Sequence, residues 1–145
     1  MEIREIKYGS KEYEESVELR NKILRIPLGH FLDINNLQKE ESDIHIVAID
    51  NGKIVGILIL TPIEDSILKM RQVAVANELQ GRGVGSSLVE FAEKIAREQK
   101  VSKIILDARS SALDFYLRKG YKVVGDEYID EHINIPHYKM EKFLK

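Results

Sequence analysis

Residues 79–88 read LQGRGVGSSL, with Gly81, Gly83 and Gly85 at alternate positions just before a stretch of helical period. Glycine gives up more conformational entropy on folding than any other residue, so this density at a helix start asks for a reason. Consecutive backbone N–H groups at a helix N-terminus form an anion site whose commonest occupant is phosphate. Missing Cβ atoms would let a pyrophosphate approach that backbone closely. A dinucleotide-binding loop is the sharper rival, because GRGVGS nearly matches GxGxxG. Asp107 follows about 20 residues on, where a ribose-binding acid would sit. Two features oppose it: in that motif the glycines leave a strand directly and belong to a parallel βαβ unit. Here ANEL intervenes after VAV, and the preceding strands read as an antiparallel meander. A phosphate-binding P-loop is excluded because no GK[ST] follows.

Composition narrows the chemistry further. The chain has no cysteine, which excludes disulfides, thiolate metal sites and a cysteine nucleophile. His132, His137 and Glu131 lie near one another, but their spacing fits neither a helical pair nor a zinc motif, and no metal is expected. Lysine and arginine total 22 against 24 acidic residues, a net charge of -2 with both signs dispersed. That balance offers no footprint for a nucleic-acid partner. The longest apolar run, IVGILIL at 54–60, is far shorter than the roughly 20 residues a membrane helix needs. The charged start MEIREIKYGS is not a secretory signal. The expectation is a cytoplasmic protein with no membrane partner, and 145 residues suit one domain over 1–145.

The elements that must position the glycine loop follow from periodicity. EIREIKY alternates as a first strand, and Ser10 can cap a helix over KEYEESVELRNKILR. A broken stretch with a short helix around Asp33 to Lys39 follows. DIHIVAID and KIVGILILT flank Asn51-Gly52, the strongest short hairpin signal there is. SILKMRQVAVA adds a third strand. The helix after the glycines turns Val84, Leu88, Phe91, Ala92, Ile95 and Ala96 inward, with Glu90, Glu93, Lys94 and Arg97 outward. KIILDA suits a buried strand, and SSALDFYLRKG a short helix closed by Gly120. YKVVGDEYI and HYKMEKFL read as two last strands joined by DEHINIP. The order βα(α)βββαβαββ describes an α/β fold with a mixed sheet and helices packed on it.

VAVANELQGRGVGSSLVEFAEKIA resembles the cofactor-binding core of the GNAT acyltransferase superfamily. The QxxGxG signature is matched by Gln80, Gly83 and Gly85. ALDFYLRKGYKVVG resembles the second signature, AxxFYxxxGF, with Tyr121 in place of the final Phe. The element order agrees over the whole chain. Within the superfamily, ELRNKILRIPLG and INIPHYKM resemble segments of the ElaA-like small acetyltransferases.

The resemblance implies an N-acetyltransferase moving acetyl from acetyl-CoA to a small-molecule or protein amine. The loop Gln80, Gly81, Arg82, Gly83, Val84, Gly85 and Ser86 would bind the pyrophosphate. Val73, Ala74 and Val75 would pair with the pantetheine arm, and a backbone N–H near Val73 would face the thioester carbonyl. Tyr116 falls where the family keeps the acid that protonates the leaving thiolate. Some members carry a glutamate on the strand before the glycines, where this chain offers Lys69, Arg71 and Gln72. His137 is then the candidate base, in the segment that resembles one facing the acceptor; the bland alternative is that it simply begins the last strand. Arg109 stands where many members have Asn or Gln. Arg20 and Arg25 flank the acceptor side implied by RIPLGHF and INIPH. Family members are frequently homodimers. A non-catalytic acyl-CoA-binding or sensing domain on the same fold is the alternative.

Overall fold

The Asn51-Gly52 pair turns as its sequence requires, with φ of +51° and +76°, the doubly positive geometry that matches the twist of paired strands. The computed structural model describes residues 1–145. In chain order its elements are β1 (Glu2–Ile6), α1 (Lys11–Arg20), β2 (Ile44–Asp50), β3 (Lys53–Glu64) and β4 (Ile67–Val75). They continue with α2 (Val84–Glu98), β5 (Lys103–Arg109), α3 (Leu113–Arg118), β6 (Lys122–Val123), β7 (Tyr128–Asp130) and β8 (Ile135–Phe143). The strands form one sheet in the order β1-β2-β3-β4-β5-β8-β6, with β7 also paired to β8. Only β4 and β5 run parallel, and α2 makes the crossover between them, so the fold is α/β with a mixed sheet.

Burial explains the layering. Val55 to Leu60 of β3 are buried without alternation, which requires cover on both faces of the sheet. Both α1 and α2 pack on that strand. A Cβ on Gly56 would lie 3.0 Å from Leu88 Cδ1 and 3.1 Å from Val84 Cγ1, so α2 rests almost directly on the β3 backbone. Ser10 caps α1, its hydroxyl accepting from the Tyr13 amide at 3.2 Å.

Several expectations needed correcting. The first helix does not run unbroken to Arg25: after Arg20 the chain takes a π-helical turn over Asn21–Arg25 and a 3-10 turn over Ile26–Leu28. Pro27 and Gly29, with φ +77°, account for that ending, since one cannot continue a helix and the other favours a left-handed cap. The short helix around 33–39 is a pair of 3-10 turns, Ile34–Asn36 and Gln38–Ser42. The strand expected over 121–129 is split into β6 and β7, with Gly125 at φ +85° between them. The last strand starts earlier than expected, at Ile135. Glu93, assigned to the solvent face of α2, is 6% exposed. Tyr121 Oη donates to it at 3.0 Å and Lys142 Nζ at 2.9 Å, so partners brought from distant segments make its burial tolerable.

The feature that matters for function is a split in the sheet. β4 and β5 pair only from Ile67 to Met70 against Lys103 to Leu106. Beyond that point both strands continue without each other. The split coincides with a bulge: the β3–β4 register shifts between Ile57 and Ile59, and Gln72 sits at φ +57°.

Candidate active site

The parting of β4 and β5 opens two adjoining cavities. The larger, about 760 Å³, runs along Val73, Ala74 and Val75 to Gln80, Gly81, Gly83, Gly85 and Ser86. The smaller, about 250 Å³, lies on the other side, among Arg25, Arg71, Gln72, Arg109 and His137. Val73, Ser111, Ala112 and Tyr116 line both, so the two cavities meet at Tyr116. Of the loop residues expected at the cofactor, Arg82 and Val84 do not line the larger cavity. Arg82 is exposed, and Val84 points into the core at 2% exposure.

The three glycines answer two different needs. Gly81 and Gly83 sit at φ +81° and +85°, in a region where any Cβ costs energy, and a Cβ at either would meet nothing within 4 Å. Gly85 is helical, and its Cβ would lie 3.4 Å from Phe115 Cζ. A positive φ thus requires two of the glycines, and packing against α3 decides the third. No side chain caps α2, so its first-turn amides, which have no partner within the helix, are left for an anion or water. Gln80 Nε2 ties the loop back to the end of β4, donating to the Val75 carbonyl at 3.0 Å.

Tyr116 is positioned by the end of its helix. Gly120 at φ +91° lets the Tyr121 amide reach the Tyr116 carbonyl at 3.0 Å and the Gly120 amide reach the Leu117 carbonyl at 3.1 Å. These are the two bonds of a Schellman ending. The ring packs edge-on against Phe115 and Tyr121, with centroids 5.0 and 5.8 Å away. Burial alone pushes the phenol above its ordinary range, so it stays protonated at neutral pH. Its hydroxyl makes no hydrogen bond to the chain, and the residue lines both cavities.

His137 does not begin the last strand: it is the third residue of β8, opposite Arg109 on β5. It is 5% exposed, and Tyr128 stacks on its ring at 5.8 Å. Nδ1 lies 2.7 Å from the Ile135 carbonyl. A carbonyl only accepts, so Nδ1 carries a proton, and in the neutral form of the ring Nε2 is the acceptor.

The basic residues divide sharply. Arg20 does not flank the acceptor cavity as expected; it is 1% exposed and forms a forked pair with Glu40 at 2.8 and 2.7 Å. Its Nε also reaches Gln72 Oε1 at 3.4 Å, and the same oxygen accepts from Arg25 Nη2 at 3.1 Å. The bulged Gln72 therefore links the buried ion pair to a residue of the cavity wall. Arg25 does line the cavity, whereas the rest of RIPLGHF turns away, Phe31 being 73% exposed. Arg109 donates to the Leu24 carbonyl at 3.2 Å and is absent from the wall of the larger cavity, so it serves the smaller one. Asp107 also lines the smaller cavity, 2.8 Å from Lys69, which separates it from the glycine loop and removes the ribose-binding acid of a dinucleotide site. The sequence reading missed Asp130 and the bulge at Gln72. Asp130 reaches the cavity only because β7 folds back on β8, and no local pattern signals that.

No group of three or more His, Asp or Glu side chains is placed to hold a metal ion, and no helix is long and apolar enough to cross a membrane. Residues 29–142 match the family model of the acetyltransferase (GNAT) domain. Over 111 residues, 76% of each chain, the sequence is 32% identical to YjcF of Bacillus subtilis (strain 168), described as an uncharacterized N-acetyltransferase. An aminoglycoside 6'-N-acetyltransferase complexed with coenzyme A superposes with a TM-score of 0.81 at 18% identity, covering 99% of this chain and 97% of that one. Escherichia coli ElaA superposes with a TM-score of 0.81 at 17% identity, covering 97% and 98%. Those two likenesses establish a shared fold. With the family model and the bacterial relative, they lead to one conclusion: the chain belongs to the GNAT family of acetyltransferases, whose acyl donor is acetyl-CoA.

Proposed function

We propose that this protein transfers acetyl from acetyl-CoA to a primary amine by direct attack, with the donor in the larger cavity and the acceptor in the smaller. The observation that carries this reading is Tyr116, which lines both cavities and whose hydroxyl has no partner in the chain. The uncapped start of α2 suits the pyrophosphate through Gln80 to Ser86, and the unpaired edge of Val73 to Val75 suits an extended pantetheine arm. A backbone N–H at the Gln72–Val73 bulge is the donor for the negative charge that develops on the thioester oxygen. A non-catalytic acyl-CoA-binding domain is the competing reading, favoured by the missing carboxylate on β4.

In the reaction the amine nitrogen bonds to the acetyl carbon, the C–S bond breaks, the amine loses a proton and the thiolate gains one. His137 Nε2 accepts the proton from the amine. Tyr116 donates to the departing sulfur. Full transfer from a phenol of pKa about 10 to a thiolate whose acid is about 8.5 would cost roughly 2 kcal/mol for ordinary groups. The main contribution of Tyr116 is therefore a hydrogen bond that strengthens as the sulfur gains charge.

Because the chain has no cysteine, a thiol-reactive dye reports only released CoA. Amine-dependent CoA release from acetyl-CoA is the expected outcome. Tight CoA binding without release for any amine class would leave the non-catalytic reading standing instead.

A further inference from the structure

We infer that the acceptor amine carries an anionic oxygen group, a carboxylate or a phosphate, held by the guanidinium groups of Arg25 and Arg109. This rests on the acetyl-transfer reading for its location, and on the unsatisfied charge of the smaller cavity for its chemistry.

Other cations around that cavity already have partners. Arg20 is forked onto Glu40, Lys69 is paired with Asp107 at 2.8 Å, and Arg71 lies 3.7 Å from Asp43. Arg25 and Arg109 take part in no ion pair within 4.0 Å. Arg25 spends its donors on the Leu24 carbonyl at 3.4 Å and Gln72 Oε1 at 3.1 Å. Arg109 spends one on the same Leu24 carbonyl. A guanidinium has five N–H donors, so most of both forks is unused.

Both groups are half-buried, which makes unpaired charge costly. Burial first, then the neighbouring Arg20, Arg109 and Arg71, disfavours the charged form of Arg25, and the charge of Asp130 offsets them only in part. Burial does the same to Arg109, again against the charge of Asp130. The cavity wall holds Arg25, Arg71 and Arg109 against Asp107 and Asp130; with Asp107 committed to Lys69 and Arg71 beside Asp43, Arg25 and Arg109 face Asp130 alone, two positive charges to one negative. Asp130, whose Oδ1 accepts the amides of His132 and Ile133 at 2.8 and 3.2 Å, is the one negative charge that acts on both arginines. An incoming anion would relieve the repulsion and fill the open forks, the geometry at which arginine surpasses lysine.

Size and position define the rest of the acceptor. At about 250 Å³ the cavity falls just below the usual range of small-molecule sites, about 300–1,000 Å³, so the acceptor is compact. Arg109 pairs across the ladder with His137. The anionic group and the amine are therefore a few bonds apart, as in a small amino acid or an aminoalkyl phosphate.

The test separates this inference from the reading beneath it. The protein saturated with CoA, so that the glycine loop is filled, is titrated calorimetrically with inorganic phosphate and with glutarate. Saturable binding of at least one anion is expected, weakened tenfold or more in Arg25→Gln and in Arg109→Gln. Arg25→Lys and Arg109→Lys, which keep the charge and lose the fork, should lose less, and they replace any Gln variant that melts early. No saturable binding of either anion, or unchanged affinity in folded variants, overturns the inference. In the turnover arm, phosphoethanolamine is compared with ethanolamine and lysine with cadaverine. A kcat/KM at least tenfold higher for the member that bears the phosphate or carboxylate is expected, and the pair that shows it identifies which group is bound. Equal values within both pairs overturn the inference while acetyl transfer stands. If no amine releases CoA, the acetyl-transfer reading fails, and the anion titration still decides this one.

Discussion

The Tyr121 amide donates to the Tyr116 carbonyl at 3.0 Å, and the two rings meet edge-on at 5.8 Å between centroids. The helix ending thus fixes the backbone of Tyr116 while a neighbouring ring fixes its side chain. Only the hydroxyl is left without a partner. Tyr116→Phe should therefore leave the melting temperature and CoA affinity nearly unchanged. Single-turnover acetyl transfer should slow tenfold or more, up to the roughly 10² to 10⁴ that full general acid catalysis supplies. A wild-type single-turnover rate would make Tyr116 a packing residue only.

Gly83 sits at φ +85° at the start of α2. A Cβ there would meet no atom within 4 Å, but a β-branched residue would carry left-handed strain of about 1–2 kcal/mol. Gly83→Val should melt somewhat earlier and bind CoA at least tenfold more weakly. Calorimetry on the folded variant checks this; undiminished CoA affinity would remove the loop from the donor site.

His137 lines the smaller cavity and holds its Nδ1 proton on the Ile135 carbonyl, so Nε2 is the nitrogen that could accept a proton. His137→Ala should lower kcat/KM for the amine by about 10² or more if the imidazole accepts its proton. Added imidazole should restore part of the rate at fixed pH. A merely structural histidine would show no such rescue.

The Arg20–Glu40 pair predicts a pH dependence of stability. Burial pushes the Glu40 carboxyl up, but the donors and charge of Arg20, the Tyr13 hydroxyl and the charge of His45 outweigh it and hold the group below its ordinary value of 4.5. A depressed carboxylate stabilises the fold above its unfolded pKa and loses that contribution as pH falls through the folded one. Stability should decline as the medium is acidified below about pH 4.5. Glu40→Gln should flatten that decline and, by leaving Arg20 unpaired, cost about 3–5 kcal/mol at neutral pH. Urea denaturation of both proteins across pH 3 to 7 measures the two effects. Equal acid slopes would exclude Glu40 as their source.

Local rules determined much of this protein. The Asn51-Gly52 turn, the Ser10 cap, the Gly120 helix ending and the left-handed glycines before α2 depend on residues within a few positions of one another. Their φ requirements and hydrogen bonds are set by that local geometry. The element order followed from the same periodicities. Tertiary structure alone decided which charges survive at the site. Arg20 and Arg25 are equivalent by sequence, yet one is spent on Glu40, 20 residues away, and the other lines the cavity. Arg109 meets the Leu24 carbonyl 85 residues away, and Glu93 turns inward because Tyr121 and Lys142 arrive to satisfy it. The bulge at Gln72 and the parting of β4 from β5 arise from pairing across the whole sheet. A side chain's burial and ionic partner depend on which distant segments the sheet brings beside it, and hydrophobic period along one element carries no record of that.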